Sequence, residues 1–88
     1  MKRDGMPGDQ SYTNGEYIFR EGESAVFAYI VKSGNVEITK HGAAGEQVLA
    51  ELAPPTIFGE MALIDRNPRS AGARAKGDTV VTEVTEEA

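Results

Sequence analysis

The sequence predicts a mainly β domain, a β-roll or jelly-roll double-stranded barrel with one short helix. Three observations carry that expectation. Runs rich in β-branched and aromatic residues recur at 26–32, 36–40, 47–52 and 79–84. Glycine-containing segments separate them, at Ser33-Gly34-Asn35, His41-Gly42-Ala43-Ala44-Gly45 and Gly77-Asp78. A single stretch, 58–64, offers good helix formers, which argues against alternating βαβ units.

Each element has a local reason. Residues 1–14 hold few large apolar side chains, Met1, Met6 and Tyr12, set among Gly5, Pro7, Gly8, Asp9 and Ser11; they read as a flexible arm. The β-roll is assigned to 15–88. Residues 17–20 form a short apolar run between Gly15 and Gly22. Residues 26–32 are apolar at both parities, which predicts a strand covered on both faces. A turn is expected at Ser33-Gly34-Asn35. Val36-Glu37-Ile38-Thr39-Lys40 then alternates, with Val36 and Ile38 facing inward. Residues 47–52 make a further strand, stopped by Pro54-Pro55, which cannot donate to a sheet ladder. Phe58-Gly59-Glu60-Met61-Ala62-Leu63-Ile64 predicts one or two helical turns, followed by a loop over 65–69. Ala71, Ala73 and Ala75 alternate with Gly72, Arg74 and Lys76. Gly77-Asp78 is expected to turn the chain into a last strand over 79–84.

Composition narrows the function. The 88 residues suffice for one small domain. Without cysteine there is no disulfide, thiolate zinc site or cysteine nucleophile, which fits a reducing, cytoplasmic location. One histidine, His41, cannot supply the imidazoles of a cupin-type metal centre, barring an all-carboxylate site, so neither an enzyme nor a metal site is expected. Fourteen acids against nine bases give a net charge of −5, the wrong sign for a general nucleic-acid binder. Asp78, Glu83, Glu86 and Glu87 supply much of that excess near the end of the chain. No apolar run approaches the length of a membrane span, so no membrane partner is expected.

The residues with chemical potential lie between Phe58 and Ala71. Gly59 precedes a helix start, where free N–H groups and the helix dipole favour an anion. Arg69 follows Pro68 and can fork two N–H bonds onto a phosphate, with the Ser70 hydroxyl beside it. Glu60, acceptor-only when ionised, suits a sugar hydroxyl; it also serves equally as a first-turn acid complementing the helix dipole. Arg66 and Arg69 are the only cations near, which suits one phosphodiester better than a triphosphate. No GxxxxGK[ST] loop occurs.

Phe58-Gly59-Glu60-Met61-Ala62-Leu63 followed by Pro68-Arg69-Ser70-Ala71 resembles the phosphate-binding cassette of the cyclic nucleotide-binding domain. That family includes regulatory subunits of cyclic-AMP-dependent kinase and bacterial catabolite activator proteins. Residues 15–22 and 29–36 resemble its first strands and glycine turns, so the likeness spans 15–84. The resemblance implies a β-roll enclosing the cassette helix and a non-catalytic module that senses a cyclic nucleotide. By the same resemblance, Glu60 matches the residue on the ribose 2′-OH and Arg69 the residue on the phosphate. Gly59, Met61 and Ala62 match positions offering backbone amides. Ser70 matches a position held by Thr, Ser or Ala, with Phe58 and Ala71 flanking the cassette. Cyclic AMP is expected in preference to cyclic GMP. The rival expectation is a degenerate domain that binds no nucleotide and serves protein–protein contact.

Three departures from the family stand out. Ala25-Val26 occupies the place of a Gly-acid pair, and Pro55 that of a frequent glycine. The family's C-terminal lid helices find no counterpart after Val84, so a homodimer or a missing output domain is expected to complete the module.

Overall fold

The computed structural model describes residues 8–85. Six strands and one helix follow in the order β1 (Asp9–Tyr12), β2 (Tyr17–Phe19), β3 (Ala28–Gly42), β4 (Gly45–Leu52), β5 (Thr56–Phe58), α1 (Glu60–Asp65) and β6 (Gly72–Val84). All pairings are antiparallel. The two long strands form the spine, pairing from Ala28↔Val84 to Thr39↔Gly72. Each borders short strands on its other edge. β3 meets β5 at residues 29–31 and β4 at residues 36–42. β6 meets β1 at residues 79–82 and β2 at Arg74 and Ala73. This is the expected mainly β roll.

The core sits where the two long strands curl together. Phe19, Tyr29, Val31, Val36, Phe58, Ala73 and Val81 pack as one cluster, with Ile38 and Leu52 at its margin. Val31, Val36 and Val81 are wholly buried, as the β-branched runs predict. The strand read at 26–32 starts later, at Ala28, because Val26 remains 64% exposed.

Two expected turns are not turns. β3 runs for 15 residues straight through Ser33-Gly34-Asn35, and β6 for 13 through Gly77-Asp78. Glycine acts here as a bulge residue. The β3–β6 register shifts between Val31 and Ser33 and again between Ser33 and Asn35. Gly34 has φ 79°, and a Cβ there would overlap the Asp78 carbonyl oxygen. A bulge adds a residue to one strand and sharpens its twist, which lets a long ribbon curl into a roll without breaking.

Two strands appear where none was expected. β1 lies within the segment read as an arm. Four backbone pairs with β6 hold it, from Asp9↔Thr82 to Tyr12↔Thr79. Asp9 also accepts from Lys32 Nζ at 2.6 Å and from Thr82 Oγ1 at 2.7 Å, and Tyr12 packs against the core. A free edge of β6 therefore orders a segment whose own apolar content is low. The remainder of that arm, 1–7, lies outside the described residues, as do Glu86 and Glu87. β5 is the other addition, too short to carry a sequence pattern of its own. It follows the cis Pro54–Pro55 bond and leads into the helix.

Candidate functional site

β5 delivers Phe58 into the core, where its ring stacks on Tyr29 with centroids 5.4 Å apart. The chain then reverses at Gly59, which caps α1 with φ 80° and ψ 7°. Glycine is needed twice over. The backbone is left-handed, and a Cβ would sit 2.7 Å from Arg69 Nη1. α1 ends as Arg66 adopts φ 61° and donates its N–H to the Ala62 carbonyl. The loop after it returns beside residues 22–23: Arg69 N donates to Glu23 O at 2.8 Å, and Gly22 N to Arg69 O at 2.7 Å.

That pairing turns the Arg69 side chain inward, leaving the residue only 4% exposed. Nη1 donates to Gly59 O at 2.6 Å and Nη2 to Phe27 O at 2.5 Å. The guanidinium carbon lies 4.0 Å from the centre of the Phe19 ring. Nε is buried without a hydrogen-bond partner. Burial pulls the guanidinium below its usual value, opposed by the Tyr29 and Glu23 charges. Loop arginines are commonly solvated; this one is not. Among the described residues the guanidinium meets no carboxylate; its terminal nitrogens are held by carbonyls.

A cavity of about 340 Å³ opens at this point. Phe58, Gly59, Glu60, Met61, Ala62, Arg69, Ser70 and Ala71 all line it. The sequence reading did not assign the rest of the wall: Phe19, Ile38, Leu52 and Ile57, from β2, β3, β4 and β5. No local signal marks them as site residues: Phe19, Ile38 and Leu52 look like ordinary strand positions, and Ile57 lies in a segment too short to carry a pattern. Ser70 is exposed, and its carbonyl accepts from Lys40 Nζ at 2.5 Å. Arg66 is separated from the site and lines another hollow of about 280 Å³ beside Ser24 and Pro68. Arg69 therefore supplies the positive charge of the wall itself, while Lys40 Nζ sits behind Ser70 and pairs with Glu21 at 3.1 Å. His41 is exposed on the β3–β4 hairpin. Among the described residues no group of three His, Cys, Asp or Glu is placed to hold a metal. The arrangement can bind: it offers an apolar pocket with one cation in its wall and one carboxylate at its rim.

The sequence model described as the cyclic nucleotide-binding domain matches residues 9–88. The chain belongs to this family. Among relatives of the cyclic nucleotide-binding domain, the cyclic AMP receptor protein of Thermus thermophilus is 42% identical over 69 residues, 77% of this chain and 32% of that one. A cAMP-dependent protein kinase regulatory subunit of Mycosarcoma maydis is 34% identical over 70 residues, 80% of this chain and 13% of the subunit. The chain thus spans a third or less of these relatives. The fold agrees as well. The crystal structure of the Thermus thermophilus catabolite activator protein superposes with a TM-score of 0.84 at 36% identity, covering 92% of this chain and 38% of that one. The EAL enzyme Bd1971 in its cGMP-bound form gives a TM-score of 0.85 at 38% identity, covering 90% and 21%. The family's β-roll with its cassette helix is present here. No helix among the described residues is long and apolar enough to cross a membrane.

Proposed function

We propose that the chain is a non-catalytic module that binds a cyclic nucleotide, cyclic AMP in preference to cyclic GMP, in the 340 Å³ cavity. One observation carries this reading. A buried arginine with an unpartnered Nε stands in the wall of an otherwise apolar pocket. A buried cation without a counter-ion is expensive, and one phosphate monoanion removes that cost. In this reading Arg69 meets the phosphodiester, assisted by amides of Gly59, Met61 and Ala62, and Glu60 accepts from the ribose 2′-hydroxyl. Phe58, Ser70 and Ala71 shape the same wall. Names among the relatives support it: Bd1971 has cAMP-bound and cGMP-bound forms.

A second reading also has an observation behind it. Both terminal nitrogens of Arg69 already donate to carbonyls, and Ile57, Met61 and Ile64 are more than half exposed around the cassette. A degenerate domain that meets another protein through this face would look the same without nucleotide.

Calorimetry with cyclic AMP and cyclic GMP, on wild type and Arg69→Ala, separates the two. Loss of a buried charge-assisted contact should cost about 2–5 kcal/mol, roughly thirty-fold to several thousand-fold in affinity. Equal binding by both proteins, or no binding by wild type at millimolar nucleotide, refutes the proposed function.

A further inference from the structure

We propose that Met61 is a peroxide-sensitive site through which oxidation weakens ligand binding, an inference that rests on the nucleotide-binding reading above. Met61 lines the cavity, yet it is 60% exposed. α1 contributes no buried residue, so the thioether is open to water and to small oxidants. The chain contains no cysteine, so no thiol competes for the oxidant. Met61 is the only sulfur among the described residues, since Met1 and Met6 lie outside them.

The reaction is balanced by a peroxide alone. The thioether sulfur attacks one peroxide oxygen, an S–O bond forms and the O–O bond breaks. Sulfur loses two electrons, and the peroxide leaves as water or an alcohol. The product is a sulfoxide, which turns a flexible apolar arm into a polar, chiral one. Its place in the wall gives this a consequence. Leu52, Ile57 and Phe58 on the same wall offer side chains with no hydrogen-bond donor, Glu60 beside it is an acceptor when ionised, and the Arg69 donor is taken by the ligand's phosphate in the reading above. A ligand filling the cavity displaces water from this wall. The sulfoxide oxygen then loses its water without replacement, or the side chain swings out and its apolar contact with the ligand is lost. Either outcome weakens binding, by about fivefold or more, while the unliganded fold is little affected because Met61 is 60% exposed in it.

The test compares affinity for cyclic AMP and cyclic GMP before and after mild hydrogen peroxide treatment. Peptide mass mapping establishes whether Met61 carries the oxygen. Met61→Leu retains Met1 and Met6 and is read against its own untreated affinity. The expected result is a loss of about fivefold or more in wild type, reversed by a methionine sulfoxide reductase and absent from Met61→Leu. A thermal melt without nucleotide should be unchanged by the treatment. Unchanged affinity with Met61 mapped as sulfoxide overturns the inference and leaves nucleotide binding standing. So does an equal loss in Met61→Leu, or a loss of the folded melt. Failure of the untreated chain to bind either nucleotide overturns the binding reading and this inference with it.

Discussion

Replacing Gly59 by alanine tests whether the cassette turn and Arg69 are one packing unit. Two costs are expected. An L side chain in the left-handed region loses about 1–2 kcal/mol, and Gly59 has φ 80°. The new Cβ would also lie 2.7 Å from Arg69 Nη1 and 3.3 Å from Phe19 Cε2. The guanidinium has little room to give. Its two terminal nitrogens are tied to Gly59 O and Phe27 O, and the Phe19 ring lies 4.0 Å beneath its carbon. Displacing it strands at least one part-buried carbonyl, a further loss of about 1 kcal/mol. Gly15→Ala supplies the reference. Gly15 has φ 88°, but nothing lies within 4 Å of a Cβ there, so it carries the strain without the clash. Urea unfolding and thermal melts followed by circular dichroism read the difference. Gly59→Ala should lose at least about 1 kcal/mol more than Gly15→Ala, or roughly 4–8 °C more in Tm for a domain of this size. Equal losses from the two substitutions would refute the claim that Arg69 is held against the Gly59 backbone.

Val81→Ala removes two methyl groups from a wholly buried position on β6; the loss should be about 2–4 kcal/mol in urea unfolding, and a loss below about 0.5 kcal/mol would contradict the core assignment. Acid should destabilise the fold. Asp9 and Glu46 titrate below their ordinary values of 3.8 and 4.5, Asp9 chiefly through its bond from Lys32 and Glu46 chiefly through its bond from Tyr17. The unfolded chain therefore takes up their protons first, so this stability is intact above about pH 4.5 and is lost as pH falls through the lowered values. Tyr17→Phe removes the 2.6 Å donation to Glu46, so carboxyl NMR should show Glu46 titrating closer to 4.5 while Asp9 stays in place. An unmoved Glu46 would show that Arg74, 2.8 Å away, holds that carboxylate by itself.

Much of this protein is legible locally. Alternation in 36–40, the β-branched runs and the single stretch of helix formers follow from side-chain shape and backbone preference, which act between near neighbours. The cassette is equally local. Gly59, α1, Arg69 and Ser70 lie within a dozen residues, so their spacing in the chain already constrains their spacing in the fold. That is why all eight residues read as a site share one cavity.

Tertiary structure decided the rest. Gly34 and Gly77 look like turn residues in isolation, since a positive φ suits both a turn and a bulge. Only the pairing of β3 with β6 along their lengths selects the bulge. Asp9–Tyr12 lacks the apolar surface to order by itself and becomes a strand because β6 offers it an edge. Phe19, Ile38, Leu52 and Ile57 come from four strands and reach one wall only when the roll closes. The direction of Arg69 is of the same kind. An arginine after proline is ordinarily solvated, and here the carbonyl of Phe27, from a distant segment, joins that of nearby Gly59 to hold it inside. Sequence alone therefore determined which groups are available to meet an anion. Long-range closure of the sheet determined that the cation is buried, and that the cavity around it is apolar.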